Sequence, residues 1–141
     1  MFGPHLMLDC YGCSESRLKD FKFVLNFLDK LPGMIDMHKI ADPYAIDYPG
    51  RPDSFDKGGI SAMVLIAESH IAIHTFPAQN YMSVDIFSCK NFDIERAIEY
   101  VAKAFQAKKL EKKILNRGIE FPKEVPKAIK IVRKQREKIK L

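Results

Sequence analysis

Gly58-Gly59-Ile60-Ser61-Ala62-Met63-Val64-Leu65-Ile66-Ala67-Glu68-Ser69-His70-Ile71-Ala72-Ile73-His74-Thr75-Phe76-Pro77 is the stretch from which the fold is read. Ile60 to Ala67 is almost wholly apolar, and Ile71 to Phe76 follows after a short polar break. Tyr81 to Phe87 is a third such run, set off by the turn Pro77 to Asn80. Short strand-like runs joined by tight turns predict an antiparallel meander. Glu68, Ser69, His70 and His74 interrupt the apolar runs, and Cys89 closes the last one. A serine, two histidines and a thiol at strand ends point to chemistry. The plainer alternative is a core hairpin with polar ends.

On the N-terminal side, His5 to Tyr11 reads as a strand with Leu6 and Leu8 on one face and Met7 and Asp9 on the other. Gly12 breaks it, and Ser14 or Ser16 caps the helix that follows. Leu18, Phe21, Leu25 and Leu28 stand at helical spacing and predict its buried face, with Pro32-Gly33 ending it. Asp36 to Ile40 reads as a strand, and Tyr44 to Tyr48 as a further one. Pro49-Gly50-Arg51-Pro52-Asp53 is a loop. On the C-terminal side, Asp93 caps a second helix with Ile94, Ala97, Ile98, Val101 and Phe105 inward. Lys109 to Leu115 is a last strand. Residues 124–140 read as a helix with a weak stripe of Val125, Ile129 and Val132.

That order predicts an α+β fold: a two-layer sandwich, with helices on one face of a mostly antiparallel sheet. The other sheet face then needs cover, and a face-to-face dimer supplies it. The chain has 141 residues, which suits one domain with a real core. No apolar run reaches membrane-spanning length. Met1 to Cys10 lacks the basic region, apolar stretch and cleavage site of a secretory signal. Three cysteines, an odd number, argue against a disulfide framework and for a reducing compartment, so the expected location is cytoplasmic.

The formal net charge is +5, but it is unevenly placed. Lys123, Lys127, Lys130, Arg133, Lys134, Arg136, Lys138 and Lys140 face only Glu124 and Glu137, so residues 1–122 are close to neutral. A nucleic-acid groove on the body is not indicated, and the tail reads as a solvated basic helix.

The reactive residues admit several chemistries. Zinc is poorly served by Cys10, Cys13, His70 and His74. The two histidines, four apart on a strand, are roughly 13 Å from each other, too far for one tetrahedral ion. A hydrolase is also poorly served. Ser69 has no Gly-x-Ser-x-Gly elbow, and no orienting third residue is evident beside Cys89 and a histidine. Self-cleavage at Glu68-Ser69 is a third chemistry. The serine hydroxyl attacks the preceding carbonyl and turns the amide into an ester. Loss of the Ser69 α-proton eliminates the ester to dehydroalanine, and hydrolysis leaves a pyruvoyl N-terminus. His74 could be the base. Strict alternation puts Ser69 and His74 on opposite faces, so this reading predicts a bend or bulge between them. The carbonyl so formed would be an electron sink, as pyridoxal phosphate is.

Gly3-Pro4-His5-Leu6-Met7-Leu8-Asp9-Cys10-Tyr11-Gly12-Cys13, Gly59-Ile60-Ser61, Ala67 to Pro77 and Asp85-Ile86-Phe87-Ser88-Cys89 together resemble the short prokaryotic S-adenosylmethionine decarboxylases. The likeness runs over residues 3 to 115 in order, which makes it specific. It implies a decarboxylase domain over residues 1–122, with the basic helix or tail of residues 123–141 outside it. It also implies a homodimer and a pyruvoyl group made from Ser69 by cleavage after Glu68. In that resemblance His74 assists processing, Ser61 supports it, and Cys89 protonates the substrate carbon after carbon dioxide leaves. The substrate amine would form a Schiff base with the pyruvoyl carbonyl. Phe55 stands where relatives place an aromatic that stacks on adenine, and Phe76, in the His-Thr-aromatic-Pro run, joins it as a substrate-binding residue.

One position departs from the pattern. Relatives commonly carry an acidic residue after that run, linked to the ribose hydroxyls, and here Ala78 stands there. Asp53, Asp56 or Gln79 could compensate. The expected function is decarboxylation of S-adenosylmethionine for polyamine (spermidine) synthesis. The alternatives are the same chemistry on arginine or ornithine, which needs no ribose anchor, or an unprocessed member acting as a binding protein.

Overall fold

The computed structural model describes residues 1–123 and Lys134. Six strands form one antiparallel sheet: β1 (Gly3–Tyr11), β2 (Tyr44–Tyr48), β3 (Gly59–Ile66), β4 (Ser69–Phe76), β5 (Tyr81–Ser88) and β6 (Lys109–Arg117). Their spatial order is β2-β3-β4-β5-β1-β6, so the first strand is inserted between the fifth and the last. The meander predicted from the apolar runs is β3 to β5, β2 extends it, and every neighbouring pair is antiparallel. Helices α1 (Glu15–Leu18), α2 (Phe21–Met34) and α3 (Ile94–Phe105) supply the second layer. The two-layer α+β reading therefore holds.

Period-two burial builds the core. Leu6, Leu8 and Cys10 of β1, Ile60, Val64 and Ile66 of β3, Ile71 and Ile73 of β4, and Met82, Val84 and Ile86 of β5 point at the helices. Val24, Phe27, Leu28 and Leu31 of α2 and Ala97, Val101 and Phe105 of α3 meet them. Thr75 ties the layers together: its hydroxyl accepts from Ile60 N–H at 2.9 Å and donates to Leu18 O at 2.8 Å.

Three expectations need correction. The first helix is two helices broken at Lys19-Asp20, and Asp20 caps the second by accepting from Phe23 N–H at 3.0 Å. Ser14 sits at the start of α1, but its hydroxyl lies 3.0 Å from that of Ser16 and caps nothing. The break rotates the buried face of α2, leaving Phe21 exposed, and α2 runs on through Pro32 to Met34. Asp36 to Ile40 is not a strand. Asp36 has a left-handed φ of 56°, and the segment makes one bridge, Lys39 to Ile66. Met37 N–H goes back to Pro32 O and His38 N–H to the Glu68 side chain, while Ile40 N–H reaches Leu65 O of β3. Third, β4 has no bulge. It is paired residue by residue with β3 and β5 from Ser69 through His74. Two intact ladders leave no slack for an extra residue. The stripe Val125, Ile129 and Val132 lies outside the described residues.

Candidate active site

The tip of the β3–β4 hairpin carries the bond singled out in the sequence. Ile66 pairs with Ser69, so the loop is only Ala67 and Glu68. Two-residue hairpins match the sheet twist with positive φ inside the loop. Here neither loop residue has it, and the positive φ, 152°, falls on Ser69. A side-chain-bearing residue in that region is strained by about 1–3 kcal/mol. Glu68 O, the carbonyl of the Glu68-Ser69 peptide, accepts from Cys89 N–H at 2.8 Å. Ser69 pairs with Ser88, which brings Cys89 alongside that peptide.

The Glu68 carboxylate is buried, at 6% exposure. His38 Nδ1 lies 2.7 Å from Oε1, His38 N–H donates to Oε2 at 3.2 Å, and Lys90 Nζ stands 3.7 Å from Oε1. Burial alone would raise its pKa, but the His38 bonds prevail and hold it below the ordinary value of 4.5.

A second cluster lies on the sheet face without helices. Ser61 and His74 are directly opposite each other on β3 and β4, and Ser61 Oγ is 2.9 Å from His74 Nδ1. They line a groove of about 400 Å³ with Tyr44, Ile46, Met63 and His70. A third cluster is a cleft of about 290 Å³ walled by Tyr11, Phe55, Phe76 and Tyr81, with Gln79 at its side. Gln79 Nε2 donates to Phe55 O at 2.6 Å and so holds the loop that carries Phe55. Tyr81 OH bonds Asp9, and burial first, then Asp9, pushes its pKa up. Ala78 lies in the one-turn helix Pro77–Gln79 with its side chain exposed. Asp53 is exposed on the loop, and Asp56 Oδ1 accepts from Gly58 N–H at 3.0 Å.

The structure thus gathers Glu68, Ser69 and Cys89 at one end of β4, and Ser61, His74, Phe55 and Phe76 toward the other. Along a regular strand, five residues separate Ser69 from His74 by about 16 Å. They do not meet within one protomer. Sequence reasoning missed His38 and Lys90. A buried carboxylate demands partners, but nothing in the sequence says which residue, thirty positions away, supplies them. Cys10 and Cys13 are both buried; the bond between them and then burial push the Cys10 thiol up, so it rests as a neutral core thiol. Among the described residues, no cluster could hold a metal ion and no helix is long and apolar enough to cross a membrane.

Comparison with known proteins agrees with this fold. A family model described as S-adenosylmethionine decarboxylase matches residues 4–118. An S-adenosylmethionine decarboxylase proenzyme of Clostridium botulinum (strain Langeland) is 33% identical over 117 residues, covering 82% of this chain and 94% of the relative. An arginine decarboxylase proenzyme of Caldivirga maquilingensis is also 33% identical over 117 residues, covering 82% and 84%. The crystal structure of the adenosylmethionine decarboxylase from Aquifex aeolicus VF5 superposes with a TM-score of 0.69 at 26% identity, over 87% of this chain and 95% of that one. Fold and relatives together define a decarboxylase class, whose relatives are named proenzymes. The chain belongs to the S-adenosylmethionine decarboxylase family.

Proposed function

We propose that the chain cuts itself between Glu68 and Ser69, converts Ser69 into a pyruvoyl group, and decarboxylates S-adenosylmethionine. The observation that carries this reading is the hairpin tip, with a strained Ser69 following a carbonyl already held by Cys89 N–H. When Ser69 Oγ adds to the Glu68 carbonyl carbon, negative charge grows on the carbonyl oxygen, and the N–H at 2.8 Å stabilises it there. The C–N bond then breaks, the amine takes up a proton, and the ester forms. Removal of the Ser69 α-proton breaks the Ser69 Cβ–Oγ bond, releases the new C-terminal α-carboxylate of Glu68 and leaves dehydroalanine. Water completes the conversion with release of ammonia. A pyruvoyl carbonyl at this position supplies an electrophile that draws electrons from the bond to carbon dioxide.

His74, with Ser61 orienting its ring, is the proton-transfer group of processing. With ~16 Å of strand between the two in one copy, this reading has it serve the Ser69 of a second copy. The helix-free face supports such a dimer: Tyr44, Ile46, Met63 and Leu65 are large apolar side chains there, each more than 40% exposed. Two sheets stacked in opposite directions would lay the His74 end of one copy over the Ser69 end of the other. Cys89, beside the cut peptide, is assigned to returning a proton to the substrate carbon.

For the substrate, the aromatic cleft favours the nucleoside. Phe55 and Phe76 both line it, and flat aromatic walls suit a purine. Gln79 Oε1, which takes no bond among the described residues, is an acceptor near the Ala78 position, where the acidic residue of relatives is missing. The arginine decarboxylase relative keeps an amino-acid substrate as the second reading. The decarboxylase occupies residues 1–122, with the basic tail beyond it.

Intact mass measurement of the purified chain tests the cut. Two fragments, 1–68 and 69–141, with the second bearing a pyruvoyl mass, are expected; one persistent uncut chain sinks the proposal. Carbon dioxide release from labelled S-adenosylmethionine, arginine and ornithine then separates the substrates.

A further inference from the structure

We infer that His38 is a positioning residue for the cut, locking the carboxyl side of the Glu68-Ser69 bond so that the strain of the hairpin is carried by Ser69. This rests on the self-cleavage proposed above. His38 grips both loop residues. Its carbonyl accepts from Ala67 N–H at 2.8 Å, its N–H donates to Glu68 Oε2 at 3.2 Å, and its Nδ1 lies 2.7 Å from Glu68 Oε1. Cys89 N–H holds Glu68 O from the opposite side. Clamped from both flanks, the Glu68 carbonyl cannot rotate away as Ser69 Oγ approaches, which keeps the reacting atoms aligned.

The chemistry of the clasp is asymmetric. The Glu68 side chain is 8% exposed and cannot exchange His38 for water, whereas the His38 side chain is 74% exposed. Removing the imidazole therefore leaves the core untouched and a buried carboxylate underpaired. The charged groups facing Glu68 are His38, from the segment after α2, and Lys90, just past β5. Lys90 is itself anchored on Asp36 O, and Lys123 Nζ bonds Cys89 O at 2.6 Å nearby. Nδ1 can donate to the carboxylate both in the neutral ring with its proton there and in the imidazolium. Either form of the ring keeps the bond in place. Protonation of Glu68 weakens it, because a charge-assisted bond becomes a neutral one.

The test follows cleavage of the full chain after cell-free synthesis, by intact mass, over a series of acidic to neutral pH values. Three chains are compared: wild type, His38→Ala and His38→Asn, whose amide nitrogen can stand in for Nδ1. His38→Ala should cut roughly ten- to a hundredfold more slowly, the size of one lost hydrogen bond to a charge. Its rate should begin to fall at a higher pH than that of wild type, because burial alone raises the Glu68 pKa. His38→Asn should recover both rate and profile. An uncut wild type defeats the self-cleavage proposal itself. A cut wild type alongside a His38→Ala chain of the same rate and profile overturns only the role of His38. So does His38→Asn as slow as His38→Ala. Should His38→Ala lose its far-ultraviolet circular dichroism, Glu68→Gln decides: its acid limb should vanish, and an unchanged limb overturns the role.

Discussion

Ser69 is a serine where the backbone asks for glycine, at a φ of 152°. In chains that cannot cut, that strain is measurable. Ser69→Gly should melt higher than Ser69→Ala by about 1 kcal/mol, the relief of positive φ exceeding glycine's entropic cost. Equal melting curves would remove strain from the mechanism. Both chains should stay whole, and a cut Ser69→Ala chain would rule out the serine as nucleophile. Cys89→Ala should still cut, since its contribution there is a backbone N–H, but should decarboxylate poorly. Undiminished turnover takes Cys89 out of its assigned role. The depressed Glu68 pKa has a sign: the carboxylate contributes stability above 4.5, lost as pH falls through its lower folded-state value. An uncut Ser69→Ala chain should therefore lose stability below pH 4.5, and Ser69→Ala/Glu68→Gln should lose less over that interval, by paired denaturant titrations. At this scale the sequence singled out Glu68, Ser69, His74 and Cys89 as candidates because they interrupt or close apolar runs. It was silent on His38, whose partnership with Glu68 exists only because the chain returns past the hairpin.

Strands were more legible than helices, for a physical reason. Period-two alternation along β3, β4 and β5 is set by the same covering layer throughout, so the pattern persists. The first helical region misled because Leu18 and Phe21 keep helical spacing across a break. Asp20 ends one phase and starts another, and removing it by Asp20→Ala should cost about 1 kcal/mol in thermal unfolding. A smaller loss than a few tenths would mean that α2 is held by packing alone. Gly59 marks a tighter constraint on β3. A Cβ there would lie 1.8 Å from Thr75 O, at a φ of +157°. Gly59→Ala should either unfold the protein or part β3 from β4, detectable as loss of slow amide exchange at Ile60 and Thr75. The missing bulge in β4 was a failed expectation with a use. It followed from placing Ser69 and His74 in one protomer, and the unbroken ladders direct attention to two.

At the scale of the whole molecule, the helix-free face and the split site make one prediction. Chains carrying Ser69→Ala and chains carrying His74→Ala, made together, should form mixed pairs in which the His74→Ala chain is cut. His74→Ala made alone should stay whole. Cutting of that variant alone at the wild-type rate would return the base to some other group, and an uncut mixture would remove the cross-copy site. The uncovered face was foreseeable from helices that suffice for one layer only, whereas the separation of the two clusters needed strand register. The strand order holds one more consequence. A cut after Glu68 leaves β1, β2 and β3 on one fragment and β4, β5 and β6 on the other, yet β1 lies between β5 and β6. The pieces are interwoven and cannot part without melting the sheet. Before the cut, folding is a unimolecular event. After it, denatured fragments must find each other, and renaturation becomes second order in protein. The mature enzyme would thus be a form that the chain enters once, recoverable from denaturant at high concentration and lost on dilution, while its uncuttable Ser69→Ala version would rebuild its own six-stranded sheet at any concentration, whatever its pairing with a second copy.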